Sequence, residues 1–185
     1  MNNLKRIAKK DFPIVTGMIL ILVSGLAGTL HADDPHGRGP KKKPVSGEFD
    51  WSIIAPNLPP YLIPGADGDL YLRNMPLVGA FSLTGDGIAI TAKISVQLNG
   101  ELDATGTGVV WSPAVLTATV NGVKTIIFEG SATADTVGLV STGKATLKGR
   151  GPYEGFELEF IFEEVGGVNS DQYTYKGQLS RAPKP

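Results

Sequence analysis

Three carboxylates, Glu157, Glu159 and Glu163, fall on one side of a short alternating segment. Alternate strand residues stand roughly 6.5–7 Å apart, within the separation of about 5–9 Å at which paired carboxylates cleave glycosides. The residues between them are Phe156, Leu158, Phe160 and Phe162. A half-buried antiparallel strand turns such an apolar row inward, so the glutamates belong to a solvated face. Asp67-Gly68-Asp69 offers two carboxylates to a cation. Ca²⁺ takes six to eight oxygens, and the twelve-residue loop pattern is missing, so the triplet reads as a turn. No metal site and no cofactor are expected. The chain has no cysteine, and its two histidines are His31 and His36. Disulfides, thiolate zinc sites, cysteine nucleophiles and a Ser-His-Asp triad are therefore excluded from everything downstream of His36.

Ligand contact is better served by the aromatics. Trp51, Tyr61, Tyr71, Trp111, Tyr153, Tyr173 and Tyr175 each combine a large apolar surface with a polar tip. With Gly106 and Gly108, which fall on an inward row and leave space, Trp51, Tyr71, Trp111, Tyr153, Tyr173 and Tyr175 form the candidate ligand-binding set. The ligand class they suit is a small apolar molecule or a carbohydrate.

These residues sit on strands. Ile88 to Asn99 alternates strictly, with Ile88, Ile90, Ala92, Ile94, Val96 and Leu98 on one face, the mark of a half-buried strand. A three-residue loop, Asn99-Gly100-Glu101, would pair Leu98 with Leu102, Val96 with Ala104 and Ile90 with Val110. A two-residue loop would instead turn Glu101 and Asp103 inward. The inward row that follows is Leu102, Ala104, Gly106, Gly108 and Val110. Asn121-Gly122 predicts a type I′ hairpin pairing Val120 with Val123, Ala118 with Thr125 and Leu116 with Ile127. Further strands are expected at Gly47–Ile54, Gly68–Arg73, Leu77–Thr84, Ser131–Val140, Thr142–Lys148, Phe156–Glu163 and Gln172–Leu179. The prolines of Ala55–Pro64 predict a long connection. The expected fold is all-β, an antiparallel barrel of eight to ten strands, with a β-sandwich as the alternative.

The segment Gly149-Arg150-Gly151-Pro152-Tyr153-Glu154-Gly155 resembles the Gly-x-Gly-x-Tyr-x-Gly turn of allene oxide cyclase-like and dirigent-like β-barrels, departing from it at Pro152. The resemblance covers one hairpin. It implies an eight-stranded barrel and transfers no catalytic residue. Read from the residues alone, the same segment is a turn in which glycines supply positive φ and Tyr153 packs on the rim.

Upstream, Lys5, Arg6, Lys9 and Lys10 precede an apolar run from Phe12 to Leu30, then Leu30-His31-Ala32. That order predicts a secretory leader, residues 1–32, cleaved after Ala32, and a periplasmic or secreted protein. An uncleaved membrane anchor is the alternative. Residues 33–44 read as a disordered basic linker, residues 45–181 as the β-domain and residues 182–185 as a tail. From Val45 onward there are 15 acids and 9 bases, a net of −6, which disfavours nucleic acid. Arg38, Lys41, Lys42 and Lys43 could give weak attraction to an anionic envelope. The residues favour non-catalytic binding of a small ligand or of an envelope partner. Two alternatives stand beside it. One is a cyclase, isomerase or hydrolase using carboxylate and tyrosine as acid and base. The other is a structural or adhesive envelope component.

Overall fold

The computed structural model describes residues 42–53, 60–167 and 170–181. The expected leader, the linker through Lys41 and the tail lie outside the described residues. Among the described residues no helix is long and apolar enough to cross a membrane.

Among the described residues ten strands follow in chain order: β1 Lys43–Asp50, β2 Ser52–Ile53, β3 Leu62–Pro64, β4 Leu70–Gly85, β5 Ile88–Leu102, β6 Gly108–Val120, β7 Val123–Val137, β8 Val140–Gly149, β9 Phe156–Val165 and β10 Gln172–Arg181. From β4 to β10 each strand pairs antiparallel with the next. β10 also pairs with β1, and β1 with β4, so eight strands close into a barrel, with β2 and β3 added along β4. Closure removes the edges that an open sheet would expose, and eight strands enclose an interior wide enough for side chains or one small ligand.

The closing seam is sparse in backbone pairing. β1 meets β4 at Ser46 opposite Thr84 and Phe49 opposite Phe81. Side chains supply much of the rest. Asp50 Oδ1 accepts from the Ala80 amide at 2.7 Å, and the Ser82 hydroxyl accepts from the Glu48 amide at 3.2 Å. Tyr175, on β10, reaches past β1 and donates its hydroxyl to the Ser82 carbonyl of β4 at 2.6 Å. It can do so because Gly47 lies beneath it; a Cβ there would stand 2.7 Å from the Tyr175 hydroxyl and collide with the Ser82 carbonyl.

Several expectations change. β5 does not turn at Asn99-Gly100 but runs on to Leu102, which pairs with Gly108 across the loop 103–107. The apolar parity of Leu98, Gly100 and Leu102 is unbroken through the Asn-Gly pair, so continuing the strand keeps that row inward. The turn is made instead by Asp103, whose Oδ1 accepts from the amides of Thr105 (2.8 Å) and Thr107 (3.0 Å) and from the Thr105 hydroxyl (2.6 Å). These bonds hold the Asp103 carboxyl below its usual range.

The Asn121-Gly122 hairpin forms with Val120 opposite Val123 and Ala118 opposite Thr125. A bulge then sets Leu116 against Phe128 rather than Ile127. The two segments expected around Arg73 and Leu77 are one strand, β4, interrupted by a bulge between Leu72 and Met75, where Asn74 takes φ 51. The segment expected from Ser131 to Val140 is the second half of β7, and the chain turns at Gly138-Leu139. Leu62–Pro64, expected within a connection, pairs with β4; residues 54–59 lie outside the described residues. β1 begins within the expected linker, with Lys43 ion-paired to Asp86 at 3.1 Å.

Candidate functional site

The barrel is filled unevenly. Toward the turns at 86–87, 121–122 and 150–155, Phe81, Leu83, Leu116, Phe128, Leu147 and Leu158 are each at most 1% exposed and close that end. Toward the loops 103–107 and 138–139 and the ends of β9 and β10 at Val165 and Gln172, one wall becomes small. Its inward residues are Ser112 and Ala114 on β6, Ala132, Ala134 and Thr136 on β7, and Ser141, Gly143 and Ala145 on β8. Leu72, Met75, Leu77, Val96 and Leu102 on β4 and β5 face them but do not reach across. What remains is a cavity of about 200 Å³, opening at this end.

Its body is apolar, with Leu72, Met75, Leu77, Val96 and Phe162 among the lining. Apart from Ser112 in the body, its inward polar groups gather at the mouth. The Thr136 and Ser141 hydroxyls bond each other at 3.0 Å. The Ser141 amide donates to Glu164 Oε2 at 3.0 Å, where the β8–β9 ladder has ended. Glu164 stands opposite Tyr173 in the β9–β10 ladder. Asp171, in the left-handed region at φ 54, accepts the Trp51 amide on its carbonyl at 3.0 Å and lines the rim. Trp51 packs edge-on against Tyr173 with ring centres 5.8 Å apart.

Leu139 also lines the mouth and takes φ 70, a conformation that costs a bulky residue roughly 1–2 kcal/mol. Its amide donates to the Gly106 carbonyl at 3.1 Å, and its side chain occupies the space a Cβ on Gly106 would need. The strain is thus held in place from the neighbouring loop.

The aromatic set expected from sequence divides. Trp51 and Tyr173 line the cavity, and Trp111 touches it from the outward register of β6, 40% exposed. Tyr71 lies outside beneath Arg73, whose guanidinium carbon is 5.4 Å from the ring centre. Tyr153 packs on Phe128 at the closed end, with ring centres 5.1 Å apart. Tyr175 is buried in the seam. Gly106 and Gly108 do not supply the space: Leu139 fills the first, and the Glu101 carbonyl closes on the second. Glu157, Glu159 and Glu163 share the outward register of β9. The residues missing from the set expected from sequence are Asp171, Glu164 and the small inward positions. Glu164 was findable, because it continues the inward row Phe156, Leu158, Phe160, Phe162 by one step.

Burial, reinforced by the negative charge of Glu164, pushes the Tyr173 hydroxyl up to about 12, against hydrogen bonding with Trp51 and Ser141. Burial pushes the Tyr175 hydroxyl up as well. Partial burial and the Glu164 charge raise the Asp171 carboxyl. An unfolded tyrosine ionises near 10. The stability tied to a protonated Tyr173 is therefore complete below about pH 10 and is lost as pH rises toward 12. Melting temperatures are expected to change little from pH 9 to 10 and to fall from pH 10 to 11, and Tyr173→Phe is expected to reduce that fall, Tyr175 supplying the remainder; an unchanged fall would place the ionising group elsewhere.

Among the described residues no three His, Cys, Asp or Glu side chains converge to hold a metal ion. No family model, characterised protein or solved structure matches the chain.

Proposed function

We propose that this barrel, working outside the cytoplasm as its expected leader implies, binds a small apolar molecule in the open end. The observation that carries the reading is the size-graded interior: one end filled to closure, the other left with about 200 Å³ of largely apolar space. Interiors are normally close-packed, and an apolar cavity of about 150 Å³ accepts benzene. By that scale the site suits roughly eight non-hydrogen atoms. A carbohydrate fits less well. Each buried sugar hydroxyl needs a partner, whereas the lining is mostly apolar, its polar side chains being chiefly Ser112, Thr133, Thr136, Ser141 and Asp171. Catalysis finds little support from Tyr173, which, held up to about 12, stays protonated at neutral pH and is a poor acid there.

Toluene followed by protein NMR tests the reading. Shifts are expected at Trp51, Ala134 and Phe162, with a Kd of roughly 0.1–1 mM for a ligand of this size. Ala134→Phe and, independently, Ser112→Leu add volume from the small wall and are expected to abolish the shifts while the melting transition persists. Toluene shifts that survive both substitutions, or that never appear in the parent protein, would defeat the reading.

A further inference from the structure

The loops around the open end carry Asp67, Asp69, Asp103 and Asp171. Among the described residues those loops hold no lysine or arginine. Arg73, on β4, is engaged with Glu101 at 3.6 Å and with the Tyr71 ring. The opposite end has Lys43, Lys124 and Arg150 in or beside its turns, partly offset by Asp86 and Glu154. The field along the barrel axis is therefore negative at the mouth, and a mouth of one sign draws in ligands of the other.

The cavity itself repeats the pattern at short range. None of its lining residues is basic. Asp171 stands at the rim, and Glu164, outside the lining and fixed by the Ser141 amide, is the cross-strand neighbour of Tyr173. The rings of Trp51 and Tyr173 meet at 70°, and Phe162 lies 5.9 Å from Tyr173. Aromatic faces beside carboxylates attract ammonium groups, the more so where water is partly excluded. A carboxylate ligand would meet the Asp171 charge at the rim, a second carboxylate close behind the lining, and no cation in the lining.

We propose that the ligand of this cavity is a small apolar ammonium compound, its hydrocarbon body among Leu72, Met75 and Val96 and its charge between Asp171 and the Trp51 and Tyr173 rings. This rests on the reading of the cavity as a ligand site and names the ligand's charge. Asp171 is positioned to serve as its counter-charge, with Trp51 and Tyr173 as the ring walls, and Glu164 adds negative charge from outside the lining.

The test compares benzylammonium, benzyl alcohol and benzoate, nearly equal in shape, titrated into the parent protein near neutral pH and at low salt. Benzylammonium is expected to bind about tenfold tighter than benzyl alcohol, with benzoate weakest. Asp171→Asn keeps a residue type that tolerates positive φ. It is expected to reduce the ammonium preference about threefold and to leave benzyl alcohol unchanged. Equal affinity for the alcohol and the ammonium, or tighter benzoate, overturns the proposal while the cavity reading stands. An ammonium preference that Asp171→Asn leaves intact overturns the placement of the charge. Failure of all three probes and of toluene overturns the cavity reading and the proposal together.

Discussion

Gly47→Ala is expected to destabilise the barrel by roughly 3 kcal/mol. Gly47 is extended, so the cost is steric rather than conformational. The added carbon would collide with the Ser82 carbonyl of β4 and stand 2.7 Å from the Tyr175 hydroxyl. Neither obstacle yields easily, because one is backbone and the other is held by the hydrogen bond to that same carbonyl. Relief requires β1 to move away from β4, which weakens the Asp50, Ser82 and Thr84 bonds along the seam. Gly122→Ala is the useful contrast. Nothing lies within 4 Å of its added carbon, but φ is +78, so its cost is conformational, about 1 kcal/mol. Urea unfolding separates the two: a Gly47→Ala midpoint no lower than that of Gly122→Ala would show that the seam tolerates spreading.

Phe81→Ala is expected to cost about 3–5 kcal/mol, lowering Tm by roughly 10 °C or more. Phe81 is 1% exposed. Its ring stacks on Tyr175 with centres 5.1 Å apart and lies 6.0 Å from Phe160 and 6.4 Å from Phe49. Truncation would leave a void that its rigid neighbours cannot collapse into. Because Phe81 belongs to the filled end, toluene affinity is expected to change little in the variant. Calorimetry gives the first quantity and NMR titration the second. A small Tm change would mean that the filled end is looser than its burial implies.

Alternation made the strands legible, and β9 shows why. Phe156 to Glu163 reads directly as inward and outward rows, and the hairpin at Asn121-Gly122 carries its own backbone requirement. The same two residue types misled at Asn99-Gly100. There the parity of Leu98, Gly100 and Leu102 holds the strand straight, and the Asn99 side chain accepts the Asn74 amide at the β4 bulge. The real turn signal was Asp103 with two threonines beyond it, an acceptor placed to collect amides two and four residues on.

The cavity was less visible because it depends on height within the barrel. Ser112, Ala134 and Ser141 are unremarkable along the chain. They leave a void only because the β6–β7–β8 register stacks them at one level, opposite side chains too short to fill it. Gly106 and Gly108, chosen for the space they leave, are filled by neighbours from a loop and from the adjacent strand.

The pairing of β1 with both β10 and β4 also orders the making of the molecule. β4 to β10 form a meander in which each strand finds its partner across a short turn, so that part can assemble from local contacts as the chain lengthens. β1 is different. Its residues precede all the other strands, yet Lys43 pairs with Leu179 and Asp50 with Gln172. Contacts between such distant positions close the longest loop and form slowly. The first of the described strands to leave the ribosome is thus among the last to be secured, and the barrel remains an open sheet until β10 has arrived.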